Sequence, residues 1–187
     1  EDLINSSRLL RARYRPEDSL SPEFLEFNWR ISHLVRIERR LKVLDELKSL
    51  PEKVKLTVVT SDPDKHRDKF NENAELLPFQ PWNKVVELMR DSKIVINVQP
   101  FHIYAGHERQ ITAMANGAAV ATDRNLYLEE RYKDASDIIF YDFSEGSLRG
   151  KIEEHLSDLE RLEALALRGA RKAVKNGLIS ERAGEII

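Results

Sequence analysis

The chain has no cysteine among its 187 residues. Disulfides and thiolate chemistry are therefore excluded, which fits a reducing compartment and sets the expectation of a cytoplasmic protein. It also lacks any apolar run near the ~20 residues that a membrane-spanning helix needs. No signal peptide is visible. Neither sign of charge is in real excess: 30 basic against 32 acidic residues leave a net charge of −2. With no polybasic block either, nothing recommends nucleic acid or an anionic membrane as partner. Internal repeats and low-complexity segments are absent. So is an initiator methionine: the chain begins at Glu1, which sets the expectation of a fragment or a processed chain. The Asn5-Ser6-Ser7 sequon has no use in a protein that is not secreted. What remains is a 41% apolar share, enough for a core, and 33% charged residues. That length and composition suit one large domain.

The stretch Lys93–Asp123 organises the rest. Lys93–Val98 is a short β-branched apolar run, as in a buried strand. Gln99–His107 is a polar loop with Pro100, His102, Tyr104, Gly106 and His107. Glu108–Asn116 is helical, with Ile111, Met114 and Ala115 on one side, and Gly117 ends it. Ala118–Thr122 is a second buried strand. Two parallel strands joined by a helix form a βαβ unit, whose ligand crevice lies beyond the carboxyl ends of the strands. The helix that opens there has free N–H groups and a positive dipole end, which suit a phosphate-bearing ligand. Every doubly wound fold has such loops, so spacing alone is a weak signal.

Residues 1–20 read as a polar, basic arm, and 21–187 as the domain. Ser21-Pro22-Glu23 is a good helix start. Phe24, Phe27, Ile31, Leu34, Ile37, Leu41, Leu44 and Leu47 follow at steps of three and four. They predict one helix over about 22–49, stopped by Pro51, with room for a break near Ser32-His33. Arg36, Arg39, Arg40 and Lys42 crowd its middle, as a solvated face or as a patch for a phosphate or an acidic partner. Val54–Thr60 is a strand, Ser61–Asp64 a turn, 64–73 a polar helix or loop, and Ala74–Phe79 a strand. A helix opens at Pro81 or Trp82 and ends near Ser92. Beyond Asp123 come a helix over Leu126–Tyr132, a strand over Asp137–Tyr141, a helix capped by Ser144, a helix over Leu159–Lys175 ended by Asn176-Gly177, and a last turn over 180–187. Strands alternating with helices predict an α/β fold with a mainly parallel sheet.

Several residues carry family information. Asp91-Ser92-Lys93-Ile94, Gly106, Arg109-Gln110-Ile111-Thr112-Ala113-Met114-Ala115-Asn116-Gly117, the AAVATD strand and Asp137–Asp142 follow one pattern. Together the stretch from Trp82 to Gly177 resembles the C-terminal domain of group 1 glycosyltransferases of GT-B fold. It is nearest the spore-maturation (CgeB-like) glycosyltransferase-like branch, whose RR-x-x-x-L-x-x-L helix is similar to Arg39-Arg40 through Leu47. The resemblance implies a Rossmann-like doubly wound parallel sheet with helices on both faces, preceded here by a long N-terminal helix. It implies a nucleotide-sugar donor held at the carboxyl ends of the strands, with no further cofactor and no bound metal. Phe79 and Gln80 would flank the base; Gly106, His107, Arg109 and Thr112, with Arg39 and Arg40, would line the donor site. His107 and Glu108 are the catalytic candidates. It also implies a separate N-terminal GT-B domain that brings the acceptor.

Two departures stand out. The position at which the family carries a ribose-gripping Glu is Thr112, and the Glu expected eight residues earlier is Tyr104. Glu108 lies one helical turn before Thr112. Two functions therefore stay open: a donor-binding half of a glycosyltransferase, or a non-catalytic GT-B-like domain for protein interaction or sugar-nucleotide recognition. A receiver-type domain lacks its acidic cluster here. His102 and His107 match no zinc spacing. Arg109 could instead pair with a surface acid, Phe79 and Trp82 could belong to a core edge, and Asp123 and Asp142 could cap the helices that follow them. Glu129 and Glu130 read as solvated.

Overall fold

The computed structural model describes residues 21–99 and 106–177. The expected arm at 1–20, His102, Tyr104 and the last turn at 180–187 lie outside the described residues. Two compact units divide the chain, Glu1–Glu38 and Arg39–Ile187. One helix, α1 (Pro22–Lys48), runs unbroken through Ser32-His33. The Ser21 hydroxyl accepts from the Phe24 N–H at 3.2 Å, the cap that the Ser-Pro-Glu start predicts. Within the first unit, Arg30 pairs with Glu26 at 2.6 Å and Trp29 stacks on His33.

Among the described residues of the second unit five strands form: β1 (Leu56–Val59), β2 (Ala74–Leu77), β3 (Ile94–Asn97), β4 (Ala119–Asp123) and β5 (Ile139–Tyr141). All pairings are parallel. β1 lies beside β2 with Leu56 opposite Ala74. β4 sits between β3 and β5, with Ile94 opposite Ala119 and Ala121 opposite Ile139. Between them run a short α2 (Pro63–His66), α3 (Trp82–Asp91), α4 (Glu108–Ala115) and α5 (Leu126–Arg131), and after β5 come α6 (Ser147–Ser157) and α7 (Leu159–Gly177).

The pleat of β4 explains the doubly wound arrangement. Ala119 and Ala121 face one core, with Val43 and Leu47 of α1, Leu148 and Ile152 of α6, and Leu162 and Leu165 of α7. Val120 faces the other, with Met89 of α3, Ala113 and Met114 of α4, and Leu128 of α5. Successive side chains of a strand point to opposite faces, so an unbroken apolar run needs helices on both. Leu56 of β1 and Ile94 of β3 pack against the same first core. Burying one such side chain contributes about 1.5–3 kcal/mol.

Four local expectations change. The three-four spacing predicts α1 but only part of its buried side: Leu47 is buried, whereas Leu34, Ile37 and Leu41 are exposed and Val43, off the stripe, is buried. On α4 it is Ala113, not Ala115, that joins Met114 in the core. Ser144 does not cap α6. It donates instead to Asp142, closing a turn, and the α6 amides turn to Glu46 of α1. One Glu46 oxygen accepts from Gly146 N–H at 2.5 Å and the other from Arg149 N–H at 2.9 Å. A carboxylate is the stronger partner for a helix N-terminus, so the distant acid supplants the local hydroxyl. Finally, Phe79 is 83% exposed and Trp82 50%, so neither belongs to a core edge.

Candidate functional site

The site is built where β3 and β4 end and α4 begins. Gly106 leads the chain into α4. A Cβ there would lie 2.8 Å from Cε1 of the Tyr127 ring, so a glycine lets the backbone pass this close. The Arg131 guanidinium lies over the same ring, 4.0 Å from its centroid. His107 is the N-cap of α4. Its Nδ1 accepts from Arg109 N–H at 3.2 Å, and its own N–H donates to Gln110 Oε1 at 2.7 Å. The Arg109 guanidinium lies along the imidazole, with Nη2 3.4 Å from Nε2. Among the described residues no carboxylate pairs with Arg109. A helix start and an arginine without a carboxylate partner place positive charge at one point.

Beneath this point lies a buried polar cluster. Gln110 is 0% exposed, and its Nε2 donates to Thr122 Oγ1 at 2.8 Å. Asn97 is 2% exposed and donates to the same hydroxyl at 3.3 Å. Among the described residues its Oδ1 has no hydrogen-bond partner. Asp123 Oδ1 accepts from Gln99 N–H at 2.6 Å, and Asn125 Nδ2 donates to Gln99 Oε1 at 3.3 Å. Asn125 also caps α5 through Leu128 N–H at 2.8 Å. Asp123 therefore does not cap the helix after it; it ties the β3 and β4 ends together, while Asp142 serves the turn to Ser144. The Tyr141 hydroxyl donates to Asn97 O at 2.7 Å. Buried polar groups in apolar surroundings need such partners, because an unmade hydrogen bond costs about 1–3 kcal/mol.

Burial pushes the Asp123 carboxyl above the ordinary carboxylate range, against the pull of Gln99 N–H and the Arg39 charge. Burial also pushes the Tyr141 hydroxyl up, with the Asp123 charge adding to it. Arg39 stands 4.8 Å from the Phe143 ring centroid, and its charge reaches both groups.

Gly106, His107 and Arg109 thus meet at one helix start. Arg39 reaches Asp123 at the β4 end, while Arg40 is exposed. Thr112 lies one turn into α4, half-buried, with Glu108 exposed before it. Phe79 and Gln80 follow β2; Gln80 folds back on Pro78 O at 2.9 Å, and no described hydrogen bond joins it to α4. Glu129 and Glu130 are not merely solvated, since they pair with Arg124 and Arg131. Sequence reasoning missed Asn97, Gln99, Gln110 and Asn125. Their signal was present: polar residues at strand ends, and a His-x-x-Gln spacing similar to the Ser/Thr-x-x-Glu/Gln capping box. Among the described residues, no three His, Asp or Glu side chains are grouped to hold a metal. Among them, too, no helix is long and apolar enough to cross a membrane.

Solved structures share this fold. The UDP-glucose complex of Anabaena Alr3699/HepE matches with a TM-score of 0.63 at 15% identity, over 78% of this chain and 43% of that one. Sucrose-phosphate synthase of Thermosynechococcus elongatus matches at 0.61 and 13% identity, over 78% and 39%. WaaG, a glycosyltransferase involved in lipopolysaccharide biosynthesis, matches at 0.59 and 24% identity, over 78% and 42%. The chain thus spans less than half the length of each. At these identities what is common is the GT-B fold. No curated protein sequence matches the chain. The family described as glycosyl transferase-like matches residues 39–187, starting where the second compact unit starts. That match takes in every strand and the whole polar cluster, and so the chain belongs to the glycosyl transferase-like family.

Proposed function

We propose that this chain is the nucleotide-sugar-binding half of a glycosyltransferase, nearest the CgeB-like branch, with the acceptor brought by an N-terminal GT-B domain outside the sequence given. One observation carries the reading: the α4 start, with His107 and Arg109, opens at the carboxyl ends of β3 and β4, and no described carboxylate neutralises Arg109. A departing nucleoside diphosphate would meet the helix dipole and the guanidinium there, which stabilises the charge that develops as the anomeric carbon is displaced. Phe79 and Gln80 stand toward the base; the exposed Phe79 ring offers a stacking face. Thr112 and Glu108 stand toward the sugar-bearing end, with His107 and Glu108 as the groups for proton transfer. The fold neighbour that holds UDP-glucose supports this choice of ligand class.

A panel of UDP, GDP, ADP, CMP and their sugar conjugates in thermal-shift titration tests it. At ~100 times the dissociation constant a ligand adds about 2.7 kcal/mol, or roughly 5–10 °C for a chain of this size. One nucleotide is expected to give that shift, and Arg109→Ala to cut its affinity about tenfold, the loss of one charge-assisted hydrogen bond. A folded chain that no nucleotide shifts defeats the reading. The second reading, recognition without turnover, draws on Thr112 in place of the family carboxylate. It predicts binding without transfer even after the N-terminal domain is supplied.

A further inference from the structure

The deepest polar contact of the site belongs to a residue that its motif leaves unassigned. Gln110 is fully buried, yet both ends of its amide are used. Its orientation follows from its partners. The His107 backbone N–H can only donate, so Oε1 must face it, at 2.7 Å. Nε2 then faces Thr122 Oγ1, at 2.8 Å. One amide thus connects the N-cap of α4 to the penultimate residue of β4. The Thr122 hydroxyl is shared with Asn97, whose Oδ1 is buried and unpartnered in the same cluster.

The consequence concerns which amides an anion can use. His107 N–H is taken by Gln110 Oε1, Arg109 N–H by His107 Nδ1, and Gln110 N–H by His107 O at 3.0 Å. Ala113 and Met114 seat α4 on β4 through the core, and at the α4 start, where a phosphate would arrive, Gln110 adds the polar tie. A helix dipole and an arginine stabilise a phosphate only when held at the right place, and their effect falls off within the first turn.

We propose that Gln110 is the positioning residue of the phosphate subsite, setting the α4 start and Arg109 against β4 without touching the ligand. The proposal rests on the nucleotide-binding reading above. Its signature is selective: the diphosphate increment of affinity depends on Gln110, and the nucleoside part does not.

Two variants separate this from a general loss of structure. Gln110→Leu keeps the bulk and removes both hydrogen bonds. Gln110→Glu keeps both, because a carboxylate accepts from His107 N–H and from the Thr122 hydroxyl, but it adds a negative charge beneath the subsite. Calorimetric titrations of the full chain with UDP, GDP and ADP, each beside its own nucleoside, give the readout, with thermal unfolding run in parallel. Gln110→Leu is expected to weaken the bound diphosphate about tenfold, the equivalent of one hydrogen bond, while nucleoside affinity changes less than about twofold. Gln110→Glu, which keeps both contacts, is expected to recover part of the increment that Gln110→Leu loses, at a lower unfolding temperature because it buries a charge. Equal losses for diphosphate and nucleoside, or none for either, overturn the proposal while leaving the nucleotide reading standing. A wild-type chain that binds none of the diphosphates overturns both.

Discussion

The two ends of the β3–β4–β5 sheet each bury an aspartate, and they treat it in opposite ways. At the amino end, Asp137 precedes β5. Burial alone would raise its pKa, but the Lys172 ammonium at 2.5 Å and the Lys133 N–H at 2.9 Å hold it below the ordinary range. α7 closes down on this end so tightly that a Cβ at Gly169 would lie 2.5 Å from Asp137 O. At the carboxyl end, Asp123 is also buried, but desolvation prevails and its pKa is raised. Beside it Asn97 keeps an unpartnered oxygen. One end is closed and ion-paired; the other holds polar groups whose solvation is incomplete. Proteins concentrate such unsatisfied chemistry where they bind or react, which agrees with the site lying at the carboxyl end.

The comparison can be broken at the closed end first. Gly169→Ala should cost about 3 kcal/mol, read by urea unfolding, because the new Cβ strikes backbone that cannot step aside. The sign is informative: glycine to alanine inside a helix ordinarily stabilises by about 0.5–1 kcal/mol. Asp137→Ala comes next, at about 2 kcal/mol near neutral pH, since it strands Lys133 N–H and removes the partner of Lys172. Because the folded pKa is lowered, the wild-type advantage is present above pH 3.8 and lost as pH falls through the folded value. A pH series of unfolding curves that stays parallel for wild type and variant would contradict this.

The smallest effect, and the sharpest contrast, lies at the open end. Asp123→Asn keeps an acceptor for Gln99 N–H and removes a poorly solvated charge. Near neutral pH it should be as stable as the wild type or better, by no more than about 1 kcal/mol, as Arg39 already offsets part of the cost. Here the folded pKa is raised, so the sign reverses. The wild type gains on the variant as pH falls through the folded value, and the gain is complete below pH 3.8. The same series of unfolding curves should therefore show opposite slopes at the two aspartates. Equal slopes would erase the distinction between the two ends.

The sheet, its parallel sense and the helices on both faces were legible because they rest on repetition. Apolar runs such as Ile94–Ile96 and Ala118–Ala121, separated by helical spacing, leave few alternatives. Capping was legible where it was local, as at Ser21, and failed where it was not. Nothing near Ser144 announces that Glu46 will reach α6. The buried face of α1 failed for a similar reason: a stripe of leucines marks a helix, but what covers it depends on distant elements. The polar cluster was hidden because Asn97, Thr122 and Gln110 are single polar residues in apolar surroundings. Each is costly to bury alone, and they become intelligible only once the fold brings them into contact.

Glu46 also bears on the order in which the domain assembles. It lies 100 residues before the amide at Gly146 that it caps. Forming that bond means closing nearly the whole of the β1–β5 segment into one loop, and the entropic cost of closure falls on contacts made early. The cap is therefore expected to act as a clasp that shuts after the sheet has formed. The end of α1 is held by the completed domain rather than by its own helical propensity, and the clasp governs how quickly the finished domain comes apart more than how quickly it forms.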